Sequence, residues 1–78
     1  MNAMKYTPQD IGQLVRETRK ALGVTQKALA LTSGTGLRFI IELEKGKETA
    51  EIGKVLTALH TLGIQVALTP PPAATKRG

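Results

Sequence analysis

The sequence predicts an all-α domain of four to five short helices, followed by one C-terminal β-strand. Apolar residues recur at helical spacing in successive stretches, and glycine or threonine stands at the joints between them. Only one Tyr and one Phe occur among the 78 residues, so Leu, Ile, Val and Ala must build the core. Such a core suits helices better than a β-sandwich, and this length allows a single domain.

The first helix is predicted to begin at Pro8, because Thr7 can cap it and Asp10 lies at the positive end of the helix dipole. Gly23 is expected to end this helix in a left-handed conformation. The positions that recur at helical spacing are Ile11, Leu14, Val15, Thr18 and Leu22.

The second helix is predicted to begin at Gln26, after the N-cap Thr25. It is expected to continue through Leu31 and to be broken by the small residues at 33–36. This helix is short, so its stability must come from packing against its neighbours.

Two further helices complete the predicted bundle. The third is expected from Leu37 to about Lys45, where Gly46 stops it, and Thr49 is expected to cap a fourth that ends at Gly63. The inward positions are Ile40 and Leu43, with Phe39 beside them, in the third helix and Ile52, Val55, Leu56, Leu59 and Leu62 in the fourth.

The segment after the fourth helix has a different pattern. Ile64, Val66 and Leu68 alternate with other residues, which predicts a strand over residues 64–69. One strand alone is unstable in water, so pairing with the same strand of a second copy, in a homodimer, is expected. The alternative is an irregular segment that lies across the helices. The predicted organisation is an N-terminal extension (1–6), a folded domain (7–63), a dimerisation strand (64–69) and a flexible tail (70–78).

Composition excludes several kinds of chemistry. The net charge is +5, there is no cysteine, and His60 is the sole histidine. Disulfides, thiolate metal sites and His-pair metal sites are therefore excluded, and no catalytic residue, metal or cofactor is predicted. No apolar run reaches about 18 residues and no signal peptide is visible, so we expect a cytoplasmic protein with no membrane partner.

Several blocks together resemble a known family. Val24-Thr25-Gln26-Lys27-Ala28-Leu29-Ala30, Gly34, Ile40, Leu43-Glu44-Lys45-Gly46-Lys47, Leu59 and Leu62-Gly63 are similar to the Xre/Cro-type helix-turn-helix family. That resemblance implies a lambda-repressor-like fold. Within the family, residues 6–8, residues 37–47 and a terminal strand most resemble HipB-type antitoxins. The expected partners are a palindromic double-stranded DNA operator, a second copy of the chain and a HipA-like Ser/Thr kinase toxin.

The resemblance places base reading on the third helix, at Leu37, Arg38 and Glu42. Arg38 could bind O6 and N7 of a guanine, and Leu37 could touch a thymine methyl group. Glu42 is expected to orient Arg38, since phosphates repel a carboxylate. The alternative for Arg38 is a solvated residue paired with Glu42.

Phosphate contacts are expected around these readers. Gln26 begins the second helix, where its amide could bond a phosphate or a base edge and where free N–H groups favour an anion. Lys45 and Lys47 flank Gly46 near the end of the third helix, although they could also be ordinary solubility charges. The whole predicted DNA-binding set is Gln26, Lys27, Thr35, Gly36, Leu37, Arg38, Glu42, Lys45 and Lys47.

Other positions are expected to serve the fold. The resemblance pairs Arg19 with Glu44, which would tie the first helix to the third. Thr35 stands where the family usually has an apolar residue, and Gly36 replaces the usual Ser or Thr cap, so the third helix is expected to be less rigid without DNA.

The sequence therefore predicts a non-enzymatic, dimeric transcriptional repressor. The resemblance to HipB-type antitoxins implies that it is also the autoregulating antitoxin of a toxin–antitoxin pair. The alternatives are a stand-alone phage or chromosomal repressor and a protein-interaction adaptor that has lost DNA binding. A neighbouring toxin gene would separate the first two, and weak, salt-insensitive DNA binding would favour the third.

Overall fold

The computed structural model of the protein describes residues 6–74. Within that range the chain forms four α-helices: α1 (Pro8–Ala21), α2 (Gln26–Ser33), α3 (Leu37–Glu44) and α4 (Ile52–Thr61). A short 3₁₀ turn follows at Pro72–Ala74. Residues 1–5 of the predicted extension and 75–78 of the predicted tail lie outside the described residues.

All four helices contribute to one small apolar core. α3 packs against both α1 and α2, and α4 packs against α2. This places α3 between two other helices, so its inner side is held from both directions. The buried apolar residues are Val15, Leu29, Ala30, Ile40, Leu43, Val55, Ala58, Leu59 and Leu62.

Local signals set the first two helix starts as predicted. The Thr7 hydroxyl accepts from the backbone N–H of Asp10, and the Asp10 carboxylate accepts from the N–H of Thr7, which completes a capping box. The Thr25 hydroxyl accepts from the N–H of Ala28 in the same way. α2 is longer than predicted and ends at the left-handed C-cap Gly34, with Ser33 in its last turn, where the Ser33 hydroxyl donates to the carbonyl of Leu29.

The predicted start of α4 needs correction. Its N-cap is Glu51 rather than Thr49, and that cap makes no side-chain hydrogen bond. The predicted inner positions also need correction, since Ile52 and Leu56 are exposed, whereas Ala58 is fully buried. The inner stripe of α4 is Val55, Ala58, Leu59 and Leu62.

The predicted C-terminal strand is wrong. No strand occurs in residues 6–74, because no second segment of the chain lies alongside 64–69 to supply ladder hydrogen bonds. Ile64 instead donates its N–H to the carbonyl of Leu59, which ends α4, and its side chain packs against the core. Val66 and Leu68 are 49% and 88% exposed. The described part of the chain is therefore all-helical.

None of the helices in residues 6–74 has the length and apolar character needed to cross a membrane.

Candidate nucleic-acid interface

α2 and α3 are joined by a three-residue turn at 34–36. Gly34 and Gly36 both have positive φ angles, +71° and +94°, which residues with a β-carbon rarely adopt. Gly36 is the N-cap of α3 and supplies no side-chain hydrogen bond to the free N–H groups of that helix. Open space surrounds the α-carbon of Gly36, so the start of α3 is accessible.

α3 has two faces with different surroundings. Ile40 and Leu43 on the inner face are buried in the core. On the outer face Leu37 is 43% exposed, and the Arg38 side chain is 89% exposed. The helix is thus held from one side and offers the side chains of its first turn to solvent from the other.

Three charged side chains form a cluster on the outer face of α3. Glu42 Oε2 lies 3.5 Å from Arg38 Nε, and Glu42 Oε1 accepts a 2.9 Å hydrogen bond from Lys47 Nζ. The hydrogen bond from Lys47, followed by the weaker influence of Arg38, lowers the pKa of the Glu42 carboxyl below the ordinary glutamate value. Glu42 is therefore ionised at neutral pH.

The backbone at the end of α3 positions Lys47. Gly46 has a φ of +86°, and its N–H donates to the carbonyl of Leu43. The N–H of Lys47 donates to the carbonyl of Glu42 at 3.1 Å, which closes the helix with a Schellman motif. A β-carbon on Gly46 would also lie 2.6 Å from Gln9 Cγ, so only glycine fits this turn without displacement.

A buried ion pair fixes α3 relative to α1, as the resemblance implied. Arg19 Nε and Nη2 donate to the two Glu44 carboxylate oxygens at 2.6 and 3.0 Å, while Nη1 donates to the carbonyl of Val24. The hydrogen bond to Glu44 raises the pKa of Arg19 despite its burial. The bidentate geometry sets both the distance and the rotation between the two helices.

Gln26 is joined to that same ion pair. Its Nε2 donates to Glu44 Oε1 at 3.1 Å, so the first residue of α2 contacts the last residue of α3. The sequence analysis missed this contact, since no spacing rule connects positions 18 residues apart. The second N–H of the Gln26 amide, its side-chain carbonyl oxygen and the free backbone N–H groups at the start of α2 are what this residue position can still offer to a ligand.

Gly12 is a second positioning residue that the sequence analysis missed. It is buried in α1, and a β-carbon there would overlap the backbone carbonyls of Leu43 and Glu44. α1 and α3 therefore touch backbone to backbone. A glycine inside an otherwise good helical pattern often has such a packing reason, and this signal could have identified it.

The remaining predicted contacts differ in accessibility. Lys27, Lys45 and Gly36 are exposed. Thr35 is only 8% exposed, and its hydroxyl lies 2.8 Å from that of Ser33. The Thr35 side chain therefore contributes to packing of the turn, and only its backbone could contact a ligand.

Two short helices joined by a tight turn, the second with an exposed polar face, define a helix-turn-helix protein. The chain belongs to the helix-turn-helix domain family, whose model matches residues 12–67. It is also similar to a protein of Sinorhizobium fredii named as an uncharacterized HTH-type transcriptional regulator, y4mF. The two are 54% identical over 65 residues, which cover 83% of this chain and 86% of the relative. Together these findings support DNA-binding transcription regulation.

Proposed function

We propose that this chain represses transcription by binding a specific double-stranded DNA operator as a homodimer, with α3 in the major groove. The observation that carries the proposal is the position of Arg38 in the first turn of α3, where its side chain is 89% exposed. An arginine at this place can give two hydrogen bonds to a guanine edge. The buried Arg19–Glu44 pair supports the proposal, because it holds α3 at a fixed orientation.

The other exposed positions divide into readers and phosphate contacts. Leu37 is next to Arg38 and presents an apolar surface that suits a thymine methyl group. Gln26, Lys27, Lys45, Lys47 and the backbone at Gly36 would bind phosphates, which position the protein without reading sequence. These groups lie next to the start of α2, the start of α3 or the end of α3.

The homodimer follows from the small size of the reading surface. One bidentate contact discriminates between bases by about 1–3 kcal/mol, whereas operators are separated from bulk DNA by about 4–10 kcal/mol. Two copies on a palindromic site double the reading surface. Val66 and Leu68 expose apolar side chains beside Ile64, and we propose that side-chain packing of this segment, without a strand ladder, contributes to the dimer.

A binding experiment tests this function directly. The full chain is used to select duplexes from a random-sequence library, and the enriched duplex is then compared with a shuffled duplex of the same composition. We expect a palindromic consensus and two chains bound per duplex in analytical ultracentrifugation. A chain that enriches no sequence, or that binds weakly with little salt dependence, would instead fit a protein-interaction adaptor.

The finer proposal is that this repressor is the antitoxin of a HipA-like Ser/Thr kinase and represses its own operon. It rests on the resemblance of residues 6–8 and 37–47 to HipB-type antitoxins. Co-expression with the product of an adjacent kinase gene is expected to give a stable complex and to relieve growth arrest. An operon without such a gene would favour a stand-alone repressor.

A further inference from the structure

Glu42 engages two cations that have different proposed tasks. Its Oε2 lies 3.5 Å from Nε of Arg38, the proposed base reader, and its Oε1 is hydrogen bonded at 2.9 Å to Nζ of Lys47, a proposed phosphate contact. Lys47 is also held through its backbone N–H, which donates to the Glu42 carbonyl. One carboxylate therefore contacts both cationic side chains in the free protein.

We propose that Glu42 is a specificity-determining residue, because its carboxylate opposes contact between Lys47 and DNA phosphate while it leaves Arg38 free to read a guanine. This inference rests on the proposed DNA-binding function. The Glu42 carboxylate and the DNA phosphates compete for the same Lys47 ammonium group. Non-operator DNA offers phosphates but no matching guanine. Its binding therefore loses the largest share of its affinity through this competition.

The contact with Arg38 is compatible with base reading. Glu42 approaches the Nε atom, and a guanidinium carries four further N–H donors on its two terminal nitrogens. A guanine edge needs two of those donors. Glu42 can therefore hold the side chain of Arg38 in place while both terminal nitrogens bind the base, and holding it reduces the rotamer freedom that binding must remove.

The contact with Lys47 conflicts with phosphate binding. A phosphate oxygen that bonds Lys47 Nζ must share this ammonium group with the carboxylate that lies 2.9 Å from it. Glu42 remains ionised at neutral pH, since its pKa is lowered by the Lys47 hydrogen bond. The Glu42 carboxylate and the phosphate would then lie close together. Either one of them must move away, or their repulsion weakens binding.

Helix stabilisation alone does not account for this cluster. In the Arg38–Glu42 pair the cation precedes the anion, which is the weaker order for residues four apart on a helix. Lys47 lies beyond the end of α3, so its bond to Glu42 is not an intrahelical pair. Exposed pairs of this kind add little stability, which leaves an effect on the ligand as their larger consequence.

The test compares Glu42→Gln with wild type on the duplex that wild type selects and on its shuffled version. Glu17→Gln removes the same charge from the exposed face of α1 and is the matched control. For Glu42→Gln we expect about three- to fivefold tighter binding to the shuffled duplex and a salt slope that is steeper by less than one per chain, since Lys47 makes part of its phosphate contact in wild type. Binding to the selected duplex gains less, because Arg38 is no longer held, so the ratio of the two affinities falls about threefold.

A second variant attributes the effect to Lys47. In Lys47→Met, adding Glu42→Gln should tighten binding to the shuffled duplex much less than it does in the wild-type background, since only the direct repulsion between carboxylate and phosphate remains. The inference would be overturned if Glu42→Gln gave the same affinity ratio and the same salt slope as Glu17→Gln. The proposed function would remain intact in that case. Failure of wild type to select any sequence would overturn both.

Discussion

Arg19 and Glu44 are 25 positions apart in the chain, yet they form a bidentate ion pair with side chains that are 8% and 3% exposed. The pair joins the last turn of α1 to the last residue of α3. Val24 and Gln26 add hydrogen bonds to it, one to each partner. Because both side chains are buried, removing the charge of either residue leaves the other charge buried without a counter-ion.

Replacement of Glu44 by Gln is therefore expected to lower the free energy of unfolding by about 3 kcal/mol, because Arg19 keeps its charge without a counter-ion. Urea denaturation followed by circular dichroism measures the change. Glu48→Gln, which alters an exposed glutamate, is the control and should stay within about 0.5 kcal/mol of wild type. Equal effects of the two variants would show that the buried pair contributes little.

Gly12→Ala is expected to destabilise the protein by about 1–3 kcal/mol, although alanine normally favours helices over glycine. The added β-carbon would overlap the Leu43 carbonyl and lie 3.0 Å from that of Glu44. Gly53→Ala in α4 is the matched control, since a β-carbon there meets open space and should be neutral or stabilising. Thermal unfolding of both variants gives the comparison, and a stabilised Gly12→Ala would refute the backbone contact.

Arg38→Ala is expected to cost about 1–3 kcal/mol on the selected operator and to relax base preference at one position in each half-site. Lys47→Ala is expected to weaken binding to every sequence and to lower the salt slope by less than one per chain, because Glu42 already opposes the phosphate contact of Lys47. Fluorescence anisotropy at several salt concentrations distinguishes these patterns. If Arg38→Ala gave the pattern expected for Lys47→Ala and the reverse, the groove-facing side of α3 would have been assigned wrongly.

Insertion of five base pairs between the operator half-sites is expected to abolish tight binding. The insertion turns one half-site to the opposite side of the duplex, where a dimer with half-sites about 34–36 Å apart cannot reach it. Mobility-shift titration with the original and the extended duplex provides the measurement. Unchanged affinity would mean that the chain binds as a monomer or as a flexibly joined dimer.

The Glu42 carboxyl is expected to titrate below the ordinary glutamate range, and Lys47→Met is expected to raise its pKa more than Arg38→Met does. Since the folded-state pKa is the lower one, the stability from this cluster is present above the unfolded glutamate pKa and is lost as the pH falls through the folded value. Carbon-13 NMR of the side-chain carboxyl follows this titration. A larger effect of Arg38→Met would reverse the assigned order of the two contacts.

The helix ends were predictable where a local interaction determines them. Thr7 and Thr25 cap the helices that the sequence analysis expected them to cap, because a cap involves residues only three positions apart. Gly46 likewise ends α3 through bonds within the same turn. The third helix and its outer residues could be placed for the same reason.

Contacts between helices were less accessible to prediction. The exposure of Ile52 and Leu56 depends on which face of α4 meets α2, which periodicity alone does not determine. Val66 and Leu68 alternate as in a strand, but alternation does not provide a partner strand. The predicted DNA-binding set includes Thr35, because its hydrogen bond to Ser33 is visible only once the turn has formed.

The separation of the two faces of α3 has an evolutionary consequence. Ile40, Leu43 and Glu44 hold the helix, whereas Leu37 and Arg38 face solvent and make no core contact that folding requires. Substitutions on the outer face should therefore cost little stability, typically within about 0.5 kcal/mol. If these residues read DNA as proposed, a duplicated gene can change its base preference through substitutions at these positions while the fold is kept.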